Sequence, residues 1–572
     1  MKRAVLVSLA LQALAMLGAG QLAASEMESP AVTISKVDWD GAAAALPGST
    51  NETPALVFER LNAMTEKRFA GIVKSTVPVL LPFDVDAFRK DSADGKPDAA
   101  TSDKYFGDFH PDKFFLPGPA GYDATFELNA KAPGLSYRFN KPIVIEISGA
   151  AFVYDLDGPD HQELFAPKNG LGDLFPGMRR ILREAHVRYV FERFGVPYVV
   201  SIQCYDQRPS TKHLSCKEAD PIAERFLRLL HIAGGTPSKI EPPKFDLSRP
   251  AATSSDFTYY GPGDLIENSG WKKMPGRADY HVYARMRFPI AQAPAYVKSQ
   301  SFMPWGDCYH TGTVGRMGRK GTPYHCKLND KPLIFDESAA ENFTYPWRDN
   351  FCELRDFLVG QCPGGYGHQG EDIRPANCVL NNPEADRCLP YQHTVAAVQD
   401  GTIRRLAGNL GAYIVVNTAD EHARFRYLHM NPKFMDEAGL LNGRRVSEGE
   451  ILGKVGNWGD FENGTSYHIH FNIQVFTTVG WVWVNPYMTL VAAYERLIGA
   501  RGTEILPGAP APPVPDKPPV ILHPTIVPEP AATAATSTPA AAPAPPPKVE
   551  PAPAREHKRR HHRRHKRKAS DE

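Results

Sequence analysis

The chain has 572 residues, 42% of them hydrophobic, with 65 Lys/Arg against 64 Asp/Glu and eight cysteines. That is room for about three domains, each able to bury its own core. A formal net charge of +1 excludes a chain that is basic throughout, but the balance hides an asymmetry. Residues Arg555–Glu572 hold nine Lys/Arg against three acids, so +6, which leaves −5 for the rest. The basic charge is a tail and not a face.

In chain order, Lys2 and Arg3 precede an apolar run from Ala4 to about Leu17 and the small residues Ala23-Ala24-Ser25. Residues 1–25 therefore read as a cleavable secretory signal. The competing reading is an uncleaved anchor, for which the apolar run is short. Export makes disulfides the expected state of the cysteines. They fall in four close pairs, Cys204/Cys216, Cys308/Cys326, Cys352/Cys362 and Cys378/Cys388, though proximity alone does not fix connectivity. A cysteine-based zinc cluster lacks the Cys-x-x-Cys spacing it needs.

Residues 30–245 read as an N-terminal α+β domain. Ile143–Ile147 and Tyr198–Ile202 have the β-branched content of strands. Met178–Phe194 places Ile181, Leu182, Ala185, Tyr189 and Val190 near helical spacing among arginines, predicting an amphipathic surface helix. Asp220-Pro221 predicts the start of a second helix, ending near Gly234-Gly235. After a connector at Pro242–Pro250, residues 250–345 have extended character, either a small β-rich module or edge strands of the domain that follows.

Residues 346–500 hold the densest chemistry. Three histidine motifs follow in order: Gly367-His368-Gln-Gly-Glu-Asp372, Tyr427-Leu-His429, and Tyr467-His468-Ile-His470-Phe471. In the last, Tyr467, Ile469, Phe471, Ile473 and Val475 alternate with His468, His470, Asn472 and Gln474, the period of a strand with one buried face. Both imidazoles then leave the same side and can reach one metal, or place one on it and one beside it. A further ligand is still required. The glycines around His368 and Asp372 make a helix there costly, at about 1 kcal/mol per glycine, and predict a tight loop folding both side chains toward one point.

This set resembles the lysostaphin-like, LytM-type zinc metallopeptidases of family M23, which are peptidoglycan endopeptidases. Thr394–Gly401, Ala412–Asn417 and Val446–Gly456 are similar to the family's strands and turns, and the likeness runs from Phe351 to Leu490. The resemblance implies an antiparallel sheet and one zinc held by His368, Asp372 and His470, with a fourth position left for water. It implies that His429 and His468 act beside the metal as general base and as hydrogen-bond donor to the oxyanion, and that the substrate is a peptidoglycan peptide. Three departures stand out. Asn472 replaces a common glutamate, Tyr467 a frequent proline, and a segment with Cys378 and Cys388 interrupts the pattern, either near the groove or as surface decoration. Glu371, beside the ligand loop, is expected to be solvated. Other catalytic sets are missing: there is no His-Glu-x-x-His, no Gly-x-Ser-x-Gly and no glycine-rich phosphate loop.

Residues 501–554 become a Pro/Ala-rich, semi-rigid linker, and residues 555–572 a disordered His/Arg/Lys tail suited to an anionic wall or membrane polymer, with no sign of specific nucleic-acid binding. The sequence thus predicts an exported, periplasmic or envelope-associated zinc endopeptidase. The alternative is a LytM-like scaffold that activates another wall hydrolase. The bulky N-terminal region is expected to cover the groove.

Overall fold

The computed structural model describes residues 26–508 except for internal stretches, the longer of which are 95–101, 130–134, 136–141, 157–163, 166–170, 205–213, 300–306, 310–324, 333–339 and 380–387. The leader, most of the linker and the basic tail lie outside the described residues. Among those described, no helix is long and apolar enough to cross a membrane.

Two antiparallel sheets dominate. The first has seven strands: β1 (Phe109–Gly118), β2 (Gly121–Leu128), β3 (Ile143–Ala150), β4 (Leu164–Phe165), β5 (Arg179–Arg183), β6 (His186–Arg193) and β7 (Val196–Gln203), in spatial order β1-β2-β3-β7-β6-β5-β4. The expected helix over Met178–Phe194 is therefore wrong, since that stretch forms β5 and β6. The reason lies in burial on both faces. Val187, Tyr189 and Phe191 alternate with Val190, and Val190 and Ile181 pack with Phe476 and Trp481 of the C-terminal region. A strand covered on both sides has lost the polar face that would betray its period, so an incidental helical spacing can mislead.

Helix α1 (Cys216–Arg228) begins a turn earlier than Asp220-Pro221 suggested. Ser215 and Glu218 form a reciprocal capping box, and the Cys204–Cys216 disulfide pins the first turn. Pro221 lies inside the helix, while Asp220 accepts a hydrogen bond from Nε of Arg180 at 2.7 Å. Gly234 is not the helix end either, because a strand at His231–Gly234 follows and pairs with Val79–Leu81.

Residues 250–345 divide between the two alternatives. Strand β8 (Thr253–Tyr260) pairs in parallel with a C-terminal strand, and β9 (Tyr296–Val297) is the edge of the second sheet. Cys308 and Cys326 are backbone partners across two short strands; their side chains lie outside the described residues.

The second sheet has eight strands, among them β10 (Glu371–Arg374), β11 (Gly401–Arg405), β12 (Gly411–Asn417), β13 (His422–Leu428), β14 (Arg445–Val446), β15 (Ile469–Thr477) and β16 (Gly480–Val484). The order is β9-β10-β15-β13-β12-β11-β14, with β16 folding back on β15. Helix α2 (Tyr487–Ile498) and β17 (Arg501–Ile505), the partner of β8, complete the C-terminal part. Ile469, Phe471, Ile473 and Val475 join the main core with Met286, Phe288, Leu490 and Tyr494. The other face of β15 carries His470, Asn472, Gln474 and Phe476. At its far end that face meets the first sheet, where Asp123 and Glu146 reach Arg424, Arg404 and His422.

Candidate active site

Strand pairing builds the site. Asp372 of β10 lies opposite His470 of β15, so both side chains leave the sheet together. His468 stands just before β15, its N–H bonded to the Gly456 carbonyl. Residue 370 must be glycine: a Cβ there would sit 2.2 Å from the Phe471 carbonyl oxygen. His429 follows β13 with φ +70°, a left-handed conformation that only surrounding structure can hold in a non-glycine residue.

His368 lies in the loop ahead of β10, and Asp372 on the strand itself. Nδ1 of His470 is 2.8 Å from Nε2 of His368 and 3.0 Å from Oδ1 of Asp372. Nε2 of His368 and Nε2 of His468 each stand 3.3 Å from the same oxygen. His429 completes the group, its ring centroid 4.6 Å from that of His468 and 6.0 Å from that of His470. All five predicted side chains thus come together.

Carbonyl partners fix the tautomers. Nδ1 of His368 donates to the Asn350 carbonyl at 3.0 Å, Nδ1 of His429 to Trp458 at 2.7 Å, and Nδ1 of His468 to Ser466 at 2.9 Å. A carbonyl can only accept, so Nδ1 carries a proton in each ring and Nε2 is the nitrogen left on the other edge. Burial keeps His470 neutral, well below its usual range, and burial with the neighbouring His468 takes His429 down to about 3. For Asp372 burial acts upward, but the His368 and His468 imidazoles outweigh it and hold the carboxyl well below the usual range.

One carboxylate among imidazole nitrogens is a donor set for a divalent metal. Oδ2 of Asp372 and Nε2 of His468 and His470 are buried without hydrogen-bond partners, but the atoms that converge are His368 Nε2, Asp372 Oδ1 and His470 Nδ1. The His368, Asp372 and His470 donor atoms lie within 4.8 Å of one another. A tetrahedron with bonds of about 2.0–2.1 Å has edges of roughly 3.4 Å, close to the spacings given above.

The supporting layer was missed at the sequence level. Asn350 accepts from the Asp372 N–H through Oδ1 at 2.9 Å as well as holding His368. Arg355 approaches Oδ2 of Asp372 at 3.9 Å. The available signal was the polar run Arg348–Arg355 around Cys352, which forms a disulfide with Cys362. Glu371 is not solvated as expected. As the strand neighbour of Asp372 it points to the opposite side, is fully buried, and accepts from the N–H groups of Asn350 and Phe351 at 3.1 Å. Burial and the adjacent Asp349 push its carboxyl well above the usual range.

The departures acquire partners. Asn472 accepts from Nε of Arg426 at 2.7 Å, and the Tyr467 hydroxyl meets Nδ1 of His393 at 2.8 Å. Cys378 and Cys388 are bridged, while residues 380–387 of that insertion are outside the described residues.

The sequence model of Peptidase family M23 matches residues 385–486, a span that includes His429, His468 and His470 and starts after His368 and Asp372. No curated protein matches the chain. Among solved structures, the chain is similar to a protein assigned as a glycyl-glycine endopeptidase, lytM, from Ruminococcus gnavus, at 24% identity over 25% of this chain and 53% of that one, with a TM-score of 0.18. The chain therefore spans about half the length of that relative. Motif order, sheet and family match converge: the chain carries an M23 peptidase domain.

Proposed function

We propose that the protein is an exported zinc endopeptidase that hydrolyses peptide cross-links of peptidoglycan. The observation that carries this reading is the Asp372 carboxylate oxygen with His368, His468 and His470 nitrogens 3.0–3.3 Å away. Zinc on His368 Nε2, Asp372 Oδ1 and His470 Nδ1 would supply a Lewis acid and a water of lowered pKa. Asn350 orients two of those groups, through the His368 Nδ1–H and the Asp372 N–H. His429 is kept neutral, with Nδ1–H held by the Trp458 carbonyl and Nε2 left as an acceptor. His468, beside the Asp372 carboxylate, is the better placed of the two to carry one to an oxyanion or a leaving amine. Export rests on the leader sequence and on the bridged cysteines, and attraction to an anionic envelope polymer on the basic tail.

The test is release of soluble muropeptides from purified sacculi, together with zinc content. Wild type should hold close to one zinc and lose release on chelation, whereas His368→Ala and His470→Ala should lose both metal and release. Undiminished release from both variants would end the reading. Zinc-free protein that stimulates a separate amidase would favour the scaffold alternative.

A further inference from the structure

His429 is held from outside the metal centre by a loop that begins at Asn457. Trp458 of that loop meets it twice: its carbonyl accepts from the ring Nδ1–H at 2.7 Å, and its N–H donates to the His429 carbonyl at 3.2 Å. One residue thus fixes both the imidazole and the left-handed backbone that carries it. Whatever fixes Trp458 therefore decides how His429 is aimed.

The loop closes on itself. The Thr465 N–H reaches the Asn457 carbonyl at 3.1 Å, and the N–H groups of Gly459 and Gly464 both reach the Phe461 carbonyl at 3.1 Å. The two glycines cross so closely that a Cβ on Gly464 would sit 2.3 Å from the Gly459 carbonyl oxygen. So tied, the position of Trp458 follows that of Glu462. Oε2 of Glu462 accepts from Nδ2 of Asn431 at 3.1 Å, the loop's second hold on the segment after His429.

Asn431 stands two residues beyond His429, and every polar atom of its amide is used. Oδ1 accepts from the Lys433 N–H at 2.9 Å and caps the short helix Pro432–Glu437, while Nδ2 also donates to the Tyr391 hydroxyl at 3.1 Å. Tyr391 is anchored in turn, with its N–H on the Val455 carbonyl at 2.9 Å and its ring where a Cβ on Gly456 would come within 2.7 Å. Asn431 is buried and Glu462 exposed. The contacts form a circuit, from His429 along the chain to Asn431, across to Glu462, and back through the loop to Trp458 and His429.

We propose that Asn431 and Glu462 are positioning residues for His429: the bond between them locks the loop so that the Trp458 carbonyl keeps the His429 proton on Nδ1 and leaves Nε2 as the acceptor. The lock needs a donor on one side and an acceptor on the other, and no charge. Without it the carbonyl moves off, and the ring loses the partner that chose between its two nitrogens. The consequence for turnover rests on the peptidase reading, whereas the tautomer does not.

The experiment reads the ring and the reaction separately. Nitrogen-15 spectra of the full chain after chelator treatment, with the His429 signals assigned by their loss in His429→Ala, should show Nδ1 protonated and Nε2 bare in wild type. Glu462→Ala, a surface change that leaves the fold intact, should move both nitrogens to intermediate shifts. On the zinc-loaded chain it should lower kcat for muropeptide release by about tenfold to a hundredfold, with zinc content and KM within about twofold of wild type. Glu462→Gln keeps the acceptor and should recover most of the tautomer and of kcat. Asn431→Asp keeps the helix cap but turns a donor into an acceptor facing a carboxylate, and should fail as Glu462→Ala does. Adding Glu462→Gln to Asn431→Asp exchanges donor and acceptor and should restore both readouts. Unchanged shifts and kcat in Glu462→Ala, or a double variant no better than Asn431→Asp alone, overturn the proposal. The expected shifts in a chain that releases nothing even as wild type support the positioning and instead remove the peptidase reading.

Discussion

Asn350 touches two of the three groups assigned to the metal, so its effect should exceed that of an ordinary buried amide. Its carbonyl holds His368 by the chain, but its side chain alone satisfies the Asp372 N–H. Asn350→Leu strands that donor and is expected to cost about 1–3 kcal/mol of stability and to weaken zinc binding by about tenfold to a hundredfold, measured by thermal melting and by titration against a competing chelator. Glu371 gives the contrast. Because it points away from the metal centre, and burial and Asp349 push its carboxyl toward the neutral form, Glu371→Gln should hold zinc as tightly as wild type with a melting temperature within a few degrees, whereas a residue that had to be ionised would not survive neutralisation. The five central side chains were legible in the sequence because three motifs in fixed order constrain one another. Asn350, Arg355 and Glu371 were not, because their roles depend on which loop lies beside which strand, and no local spacing encodes that.

Elements position those residues through backbone contact more than through side-chain packing. β10 delivers Asp372 only if it lies close against β15, and Gly370 is where the approach is tightest, with the Phe471 carbonyl occupying the space a Cβ would need. Gly370→Ala is expected to push β10 off β15 and to lose bound zinc, read by metal analysis, while the far-ultraviolet spectrum stays that of a folded β protein. Legibility at this scale followed exposure. The alternation of Tyr467–Val475 announced β15 because its two faces differ in chemistry. The β5–β6 hairpin stayed hidden because Ile181 and Val190 are as buried as Val187 and Phe191, so sequence period carried no information about which side faced water. The early start of α1 was legible in principle, since Ser215 and Glu218 stand at capping-box spacing; the proline at 221 masked it.

For the whole molecule, the contact between the two sheets is built on charge as well as apolar surface. Arg404 and Arg424 pair with Glu146, and Arg424 and His422 with Asp123, all of them buried or nearly so. Burial acts to raise Glu146, but Arg404 and Arg424 outweigh it and bring it to about 2; Asp123 is likewise held below its usual range against burial by His422 and Arg424. A carboxylate depressed in the folded state adds stability that is complete above its unfolded value of about 4.3 and is lost as pH falls toward the folded one. Melting temperature should therefore hold near neutrality and drop between about pH 4.3 and 2. Asp123→Asn should flatten part of that slope and, by leaving Arg424 and His422 short of a partner, cost about 3–5 kcal/mol at pH 7. A chain beginning at 346 would expose Phe476, Trp481 and Val482, which the first sheet covers, and is expected to aggregate where the full chain does not.

The Cys352–Cys362 bridge closes the loop that follows Asn350, and the Cys352 N–H donates to the His368 carbonyl of the ligand loop. Metal capture is therefore expected to depend on thiol oxidation. A chain folded under reductant should take up zinc poorly however much is supplied, and air oxidation followed by zinc should recover what zinc followed by oxidation does not.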